Sequence, residues 1–339
     1  MLPPTADTAP GLVDTATSTA PPKTRRTMRR EARAGAPAAT GWHAWLELTK
    51  PKIVQMMLVT CASAMVIAEQ GLPDLLLFVL TMVGLGISIG GASALNHVLD
   101  RDLDERMART RRRPIASGTI SVEAGTAFGL ALFLLGGAIL CLGVNALTAW
   151  CALVGGGFYV AVYTPLKRFT SHNTVIGGVA GAMPPVVGWA AMTDSLASPW
   201  PWALFGIMFA WQPAHFWPLS LLMRKDYAAA GFKMLPVTHG EATTDRATWR
   251  CMVLTLATTL IPFTTGDVSW IYGVGMVVAN VYLTRRMWAL VVAQRELDPG
   301  EALVGGPDSA GRIAARNAFL GSLTWLAIIF VALLVDSLV

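Results

Sequence analysis

Charged residues are scarce in this sequence. Asp, Glu, Lys and Arg make up 14% of the 339 residues, whereas soluble domains usually carry about a quarter. Hydrophobic residues make up 54%, and they are grouped in runs of about 20, the length that a helix needs to cross a bilayer. The shortage of charge therefore excludes an ordinary soluble domain and predicts an all-α integral membrane protein.

Cysteine is scarce as well. The four cysteines lie far apart within apolar runs, at Cys61, Cys141, Cys151 and Cys251. The sequence has no CxxC pair and no Cys/His spacing of a metal site, so small buried cysteines are the favoured interpretation. The formal net charge of +5 does not indicate nucleic-acid binding, because in a membrane protein the position of each cation matters more than the sum.

A basic stretch runs from Lys23 to Arg33, and no apolar run of signal-peptide length lies between it and the first predicted span, which begins at residue 51. We therefore predict that residues 1–40, which are rich in Ala, Thr and Pro, form a disordered tail on the cytosolic side rather than a cleaved signal. Residues 41–339 form the predicted membrane domain. The acidic residues Asp7, Asp14 and Glu31 disfavour a mitochondrial presequence.

The apolar runs predict nine transmembrane helices around a central cavity that opens near the cytosolic face. The predicted spans are 51–70, 75–98, 121–143, 146–165, 174–192, 202–223, 251–266, 269–290 and 317–336. Four connections contain no Lys or Arg: 71–74, 144–145, 193–201 and 267–268. The N-terminal region and the other connections are rich in both. By the positive-inside rule, this alternation predicts a multi-pass protein with a cytosolic N-terminus and an outside C-terminus. We expect the membrane to be the cell (inner) membrane.

A charged stretch, "NHVLDRDLDERMARTRRRP" (96–114), follows the second span. Asn96, Asp100 and Asp104 are four residues apart, so on a helix they share one face. Such oxygen ligands suit Mg²⁺, which prefers one or two carboxylates together with substrate phosphates. Arginines that can neutralise the remaining phosphate charge lie close by: Arg101, Arg106, Arg109, Arg111, Arg112 and Arg113. The stretch predicts a site where diphosphate is a leaving group; the alternative is a solvated loop whose arginines only set the topology.

The spacing Asn-x-x-x-Asp-x-x-x-Asp resembles the first motif of the UbiA-type membrane prenyltransferases. The longer stretch is similar to one branch of them, the protohaem IX farnesyltransferases (haem O synthases). Further strings similar to this branch are "LTKPKI" (48–53), "YTPLKRFTSHNTVIGGVAGAMPPVVGW" (163–189), "WQPAHFWPLS" (211–220), "DYAAAGFKMLPV" (226–237) and "ALLVD" (332–336). Features of the branch rather than of the superfamily are Arg109-Thr110 with Arg113-Pro114, and Trp211-Gln212 with His215-Phe216.

The resemblance implies a reaction and its partners. Farnesyl diphosphate ionises with the help of Mg²⁺, its allylic carbon joins a vinyl group of protohaem IX, and water adds to give haem O, the precursor of haem A. Haem is then a substrate rather than a cofactor. The protein is expected to lie in the lipid bilayer, to have haem A synthase as a partner and to bind no nucleic acid. The resemblance makes Lys167 a second phosphate-binding candidate, with Lys52, Arg109, Arg113 and Gln212 as further substrate-binding residues.

The end of the sixth span carries two candidate catalytic residues. His215 and Asp226 are 11 residues apart, which on one continuous helix gives a shared face and a rise of about 16 Å. We predict Asp226 at the mouth of the cavity and His215 deeper, ligating or orienting the haem iron or acting on a proton. A packed, hydrogen-bonded histidine is the alternative. The branch has two adjacent acids before Tyr227, and Lys225 replaces the first, which favours a single Mg²⁺ and charge neutralisation by Lys225.

Three other functions stay open. Another UbiA-type enzyme, acting on a quinone precursor or chlorophyllide, is expected to carry a fuller acidic motif after the sixth span and no Trp-Gln-x-x-His. A transporter is expected to place its ionisable residues near the midplane on broken helices, whereas these acids lie at the cytosolic boundary. A haem-insertion or oxidase-assembly factor needs no diphosphate site.

Overall fold

The computed structural model describes residues 40–296, 303–306 and 309–339. The predicted tail, residues 1–40, lies outside the described residues except for Thr40. Every regular element in the described part of the chain is helical. The helices are α1 (Trp42–Leu48), α2 (Pro51–Glu69), α3 (Leu75–Leu99), α4 (Arg101–Arg106), α5 (Val122–Gly143), α6 (Ala146–Phe158), a π-helical turn (Tyr159–Tyr163), α7 (Thr164–Leu166), α8 (Asn173–Thr193), α9 (Trp200–Leu222), α10 (Arg224–Ala230), α11 (Leu235–Thr238), α12 (Glu241–Thr258), a 3₁₀ turn (Ile261–Thr264), α13 (Trp270–Arg295) and α14 (Ala310–Leu338).

Polar caps fix the starts of three long helices. The side chains of Asp74, Ser121 and Asn145 each accept a hydrogen bond from the backbone N–H three residues later, at 2.9, 3.2 and 2.7 Å. Each cap satisfies one N–H that the first turn of a helix leaves without a partner. A cap followed by an apolar run is readable in the sequence, and the predicted spans agree with these helices to within one residue.

Glycines let α3 and α5 approach each other closely. A Cβ atom on Gly91 would lie 2.4 Å from the backbone nitrogen of Phe133, and one on Gly136 would lie 2.4 Å from that of Ser88. Small residues allow such backbone contact between helices in lipid, where packing rather than burial from water drives association. The contact holds α3 in place, and α3 ends at the charged stretch.

Within the described residues, seven helices are long and apolar enough to cross a membrane. They are Pro51–Glu69, Leu75–Leu99, Val122–Gly143, Ala146–Leu166, Asn173–Thr193, Trp270–Arg295 and Ala310–Leu338. The chain is thus a multi-pass membrane protein. The sixth and seventh predicted spans fall on α9, whose Trp, Pro, Gln and His lower its hydropathy, and on α12, whose first half is charged. The count of nine spans therefore stays a prediction.

The predicted limits of the seventh span, 251–266, are wrong. Helix α12 begins at Glu241 and ends at Thr258, and Pro262 lies in the separate 3₁₀ turn. Proline has no N–H to donate and its ring clashes with the preceding turn, so an α-helix does not continue through it. The hydroxyl of Thr255 lies 2.9 Å from the carbonyl of Ala210 on α9 and 2.7 Å from the carbonyl of Cys251 in its own helix, so it contacts both α9 and α12.

Two helices that the sequence predicts as continuous are interrupted. Asp100 (φ −91°, ψ 1°) separates α3 from α4, and Met223 (φ −105°, ψ 9°) separates α9 from α10. The first break is mild, because the N–H of Asp104 still donates to the carbonyl of Asp100 at 2.8 Å. The second places His215 and Asp226 on different helices, so the shared face and the 16 Å rise predicted from one helix are wrong.

The two breaks have a common cause in apolar packing. The short helices α4 and α10 pack together just beyond the ends of α3 and α9. The residues buried between and beside them, here called the rim cluster, are Leu103, Met107, Tyr227, Ala230, Phe232 and Met234. Burial of these side chains offsets the cost of leaving helical geometry. The rim cluster thereby brings the chain after α3 beside the chain after α9.

Candidate active site

The three predicted metal ligands after the second span are buried. Asn96, Asp100 and Asp104 are only 2%, 3% and 2% exposed. A solvated loop is therefore not what the structure shows for this stretch. Buried carboxylates are costly unless they are paired, so their partners decide what the site can do.

Two cations pair with the carboxylates. The Lys167 ammonium donates to Oδ2 of Asp100, and one guanidinium nitrogen of Arg113 donates to both oxygens of Asp104, at 2.9 and 2.8 Å. The structure thus brings both predicted phosphate-binding residues onto the predicted acids. A further lysine, Lys50, donates to Oδ1 of Asn96 at 2.6 Å.

Lys50 was missed by the sequence analysis, which assigned the substrate-binding role to Lys52. Lys52 is exposed in the first turn of α2. The Lys50 ammonium, in contrast, lies 2.6 Å from Oδ1 of Asn96 and 3.3 Å from the Tyr159 hydroxyl. Lys50 precedes Pro51 and has a left-handed backbone (φ 50°, ψ 57°). This conformation is unfavourable for a residue with a side chain, and such strain tends to occur where the surrounding structure requires it. Here it accompanies a side chain that reaches the buried cluster.

The charge balance of the cluster favours a further anion. Three cations, Lys50, Lys167 and Arg113, lie among two carboxylates, and the partner of Lys50 is a neutral amide. Burial, together with the neighbouring Arg113 and Lys167, lowers the pKa of Lys50 to about 7. Burial also lowers the pKa of Lys167, although Asp100 opposes the shift. A bound polyanion stabilises the charged form of both lysines.

Burial shifts the pKa of the Asp104 carboxyl in the opposite direction from the pKa of the two lysines. Burial raises its pKa, while the charge and hydrogen bonds of Arg113 oppose the rise. Outside the cluster, Arg168 binds the chain where α3 meets α4. It donates to the carbonyl of Leu99 at 2.5 Å and to the carboxylate of Asp102 at 2.7 and 2.9 Å. That hydrogen bonding lowers the pKa of Asp102. The pair fixes α7 beside the end of α3.

Aromatic rings line the same cluster. Tyr159 and Tyr163, both in the π-helical turn, stack with ring centres 5.6 Å apart. The Lys50 ammonium lies 5.9 Å from the Tyr159 ring, and that of Lys167 lies 5.3 Å from Tyr163 and 5.6 Å from Phe232. The negative ring faces stabilise the ammonium groups where water is excluded. Phe232 belongs to the rim cluster, so the chain after α9 also closes over Lys167.

The acids fit a magnesium ion that shares its ligands with a substrate. Oδ1 of Asp100 is buried and has no hydrogen-bond partner among the described residues. The described part of the chain has no group of three or more His, Cys, Asp and Glu side chains that could hold a metal. A site with two carboxylates is still the donor set that suits Mg²⁺ when phosphate oxygens and water complete the coordination.

His215, on α9, lies between two aromatic rings. Its ring stacks between Trp211 and Phe319, with ring centres 4.3 and 4.6 Å away, and its Nδ1 is 2.7 Å from Oγ of Ser322. The Ser322 hydroxyl donates to the carbonyl of Phe319 at 2.7 Å, so the proton between serine and histidine belongs to Nδ1. Nε2 then carries a lone pair, the form that can ligate iron or accept a proton.

The remaining predicted residues have fewer contacts. Gln212 donates to the carbonyl of Gly178 at 2.7 Å, which joins α9 to α8. Asp226 is half-buried, and Lys225 and Arg109 are exposed. Burial raises the pKa of Tyr227 despite the Arg109 guanidinium beside it, which places Arg109 next to α10.

Comparison with known proteins places the chain in a family. The sequence model of the UbiA prenyltransferase family matches residues 57–303. The chain belongs to the UbiA prenyltransferase family. The resemblance seen in the motifs is thereby confirmed, and the buried acids after α3 belong to a UbiA-type chain.

Two relatives illustrate the branch of the UbiA family. Proteins named protoheme IX farnesyltransferase from Marinobacter nauticus and Hahella chejuensis are 40% and 38% identical to this chain, over 299 and 301 residues. Each alignment covers 88% of this chain, and 93% and 95% of the respective relative. The similarity therefore extends over nearly the whole length of both relatives.

Solved structures share the UbiA fold. A digeranylgeranylglyceryl phosphate synthase has a TM-score of 0.69 at 15% identity, over 88% of this chain and 98% of that chain. A UbiA homolog from Archaeoglobus fulgidus, bound to DMAPP and Mg²⁺, has a TM-score of 0.62 at 18% identity, over 84% and 98%. At these identities the likeness concerns the fold alone, and it confirms the all-helical membrane architecture.

Proposed function

We propose that this chain transfers the farnesyl group of farnesyl diphosphate to a vinyl group of protohaem IX and so forms haem O. The observation that carries the proposal is the buried pair Asp100 and Asp104 among three cations. This arrangement suits a diphosphate leaving group. The acceptor is proposed from the relatives of about 40% identity, which are named protoheme IX farnesyltransferase.

The diphosphate binds among Lys50, Lys167 and Arg113. Hydrogen bonds and aromatic rings already place these three side chains together at the site, so the cations are in position before a diphosphate binds. Preorganised donors of this kind give the largest single contribution to catalysis in many enzymes. Lys167 and Arg113 exchange a carboxylate for a phosphate as their main partner.

The carboxylates are then available for a metal ion. Asp100 and Asp104 would hold Mg²⁺, with Asn96 beside them. Mg²⁺, when bound, withdraws charge from the diphosphate oxygens and makes diphosphate a better leaving group. A structure of a distant UbiA homolog carries both DMAPP and Mg²⁺, which supports the pairing of this fold with a metal and an allylic diphosphate.

The transfer itself is a balanced exchange of bonds. The allylic C–O bond breaks and its electron pair leaves with the diphosphate. The π electrons of the haem vinyl group form the new C–C bond, which leaves a cation on the adjacent carbon. Water adds to that cation and gives up one proton to solvent. His215 holds the haem through its Nε2 lone pair, and the rings of Trp211 and Phe319 keep the imidazole in place.

The test is product formation by the purified protein. Incubation in detergent with farnesyl diphosphate, protohaem IX and Mg²⁺ should give the mass of haem O, with one diphosphate released for each haem consumed. Diphosphate release with a quinone precursor or chlorophyllide instead of haem would assign the chain to another reaction of the family. Haem binding without any diphosphate release would indicate an assembly factor.

A further inference from the structure

A proline shapes the turn that faces Asn96. Pro165 follows Tyr163 and Thr164 and has no N–H for the carbonyl four residues before it. The preceding turn, Tyr159–Tyr163, widens into a π-helix, and the N–H of Thr164 donates to the carbonyl of Tyr159, five residues earlier. Such π-helical turns are frequent at functional sites.

The wide turn fixes the hydroxyl of Thr164. Thr164 is 1% exposed, and its hydroxyl donates to the carbonyl of Tyr159 at 2.9 Å. A hydroxyl has one proton, so toward its other neighbour Oγ1 acts as an acceptor. That neighbour is the amide nitrogen of Asn96, at 3.0 Å.

The other partners of Asn96 require the same orientation of its amide. Lys50 can only donate, and it contacts the amide oxygen at 2.6 Å. The ionised carboxylate of Asp100 can only accept, and it contacts the amide nitrogen at 2.8 Å. A flipped amide would set nitrogen against ammonium and oxygen against carboxylate. The three contacts leave one arrangement for this buried group.

This orientation determines which oxygen of Asp100 stays available. Oδ2 accepts from both Asn96 and Lys167, while Oδ1 has no hydrogen-bond partner in the part of the chain that the structure describes. We propose that Thr164 is a positioning residue, which turns the amide of Asn96 so that Asn96 holds Asp100 by donating to it, instead of binding the metal ion through its own oxygen. The inference rests on the proposed function, because it assigns roles around the metal and diphosphate of that reaction.

Binding without turnover tests the inference. The probe is farnesyl thiolodiphosphate, an unreactive analogue, titrated by calorimetry against Mg²⁺ in the absence of haem. Thr164→Val keeps the shape of the side chain and removes the hydroxyl, and we expect the Mg²⁺ concentration for half-saturation to rise about tenfold, as for a buried group left without its partner. Thr164→Ser keeps the hydroxyl and should stay within about threefold. Haem affinity, followed by absorbance, should not change in either variant.

A second variant separates the two roles of Asn96. In Asn96→Asp the carboxylate cannot donate to Asp100 and repels it, so Mg²⁺-dependent binding should weaken by more than about tenfold. If Asn96 is instead a metal ligand, the carboxylate binds Mg²⁺ at least as well as the amide. Unweakened binding in Asn96→Asp would overturn the inference, as would wild-type binding in Thr164→Val.

A matched threonine elsewhere in the chain controls for the loss of a hydroxyl as such. Thr126→Val makes the same change where the hydroxyl donates to the carbonyl of Val122 in its own helix, and it should leave analogue binding unchanged. A loss of analogue and haem binding together, with early thermal unfolding, would mean that Thr164 is only structural and would also overturn the inference. Absence of Mg²⁺-dependent analogue binding in the wild type would contradict the proposed function instead.

Discussion

The polar side chains at the end of α3 hold one another, whereas His215 on α9 is held by aromatic rings. Asn96, Asp100 and Asp104 form a buried network with three cations that come from other parts of the chain. His215 contacts the hydroxyl of Ser322 through Nδ1 and stacks between two aromatic rings. The first region is organised by charge and the second by shape.

The difference agrees with two kinds of substrate. A diphosphate needs fixed charges in a place that excludes water, and the network after α3 supplies them. A large, flat and mostly apolar acceptor needs an apolar surface with few polar contacts, which is what the surroundings of His215 offer. Because the two regions lie on different helices, we expect substitutions in one to spare the other.

The largest effect is expected from the acids. Asp100→Asn removes one charge of a buried pair and leaves the Lys167 ammonium without its counter-ion. Turnover should fall by at least about 10²-fold, the usual cost of removing a group that stabilises the leaving charge. The measurement is the initial rate of haem O formation at saturating haem.

The matched control for this prediction is on the same helix. Asp74→Asn makes the same substitution at the opposite end of α3, where Asp74 caps the helix by accepting from the N–H of Leu77 at 2.9 Å. Asparagine caps a helix as well as aspartate, so folding and turnover should be retained. Turnover of Asp100→Asn at the level of Asp74→Asn would mean that the buried acids only stabilise the fold.

Much of this comparison could be predicted from the sequence. The helices follow from apolar runs with polar caps, and the acid motif follows from a spacing of four residues. What the spacing could not predict is the set of partners, because it orders side chains only within one helix. Lys50 and Thr164 reach Asn96 from 46 and 68 residues away. Nothing local distinguishes Lys50 from Lys52 except the proline that follows it.

The predicted relation between His215 and Asp226 failed for a related reason. It assumed that one helix continues past Met223, where no Gly or Pro marks an end. The break arises because Tyr227 is buried in the rim cluster, which also contains Leu103, a residue more than a hundred positions earlier. Burial against a distant segment is a tertiary effect, and the local sequence does not record it.

The next largest effect is expected at Lys50, and it should distinguish this lysine from its neighbour Lys52. Lys50→Met removes a cation that contacts Asn96 and the Tyr159 hydroxyl, and we expect the KM for farnesyl diphosphate to rise about tenfold. Lys52→Met makes the same change on an exposed side chain, and its KM should stay within about twofold. Equal effects of the two changes would show that the lysines act only through the general positive charge near the membrane surface.

The smallest effects are expected for His215 on α9 and Asp226 on α10, and they test whether the two regions work separately. His215→Ala should weaken haem binding several-fold and leave the affinity for farnesyl diphosphate near normal. Asp226→Asn should do the reverse and raise the Mg²⁺ or farnesyl diphosphate requirement, because Asp226 lies on α10 beside the rim cluster. Haem titration followed by absorbance gives the haem affinity of each variant, and calorimetry with farnesyl thiolodiphosphate gives its affinity for the diphosphate and Mg²⁺. The same pair of readings for both variants would contradict the separation.

The hydrogen bond to Ser322 sharpens the test of His215. Ser322→Ala removes the acceptor that keeps the proton on Nδ1, so the lone pair of Nε2 is no longer enforced, although the stacking rings stay. One lost hydrogen bond corresponds to a change of about fivefold, and it should appear in haem affinity alone. Ser220→Ala is the control, because that buried hydroxyl donates to the carbonyl of Trp217 on the same helix. If His215 is merely packed, Ser322→Ala should match Ser220→Ala in haem affinity, and His215→Ala should change thermal stability without changing either substrate's affinity.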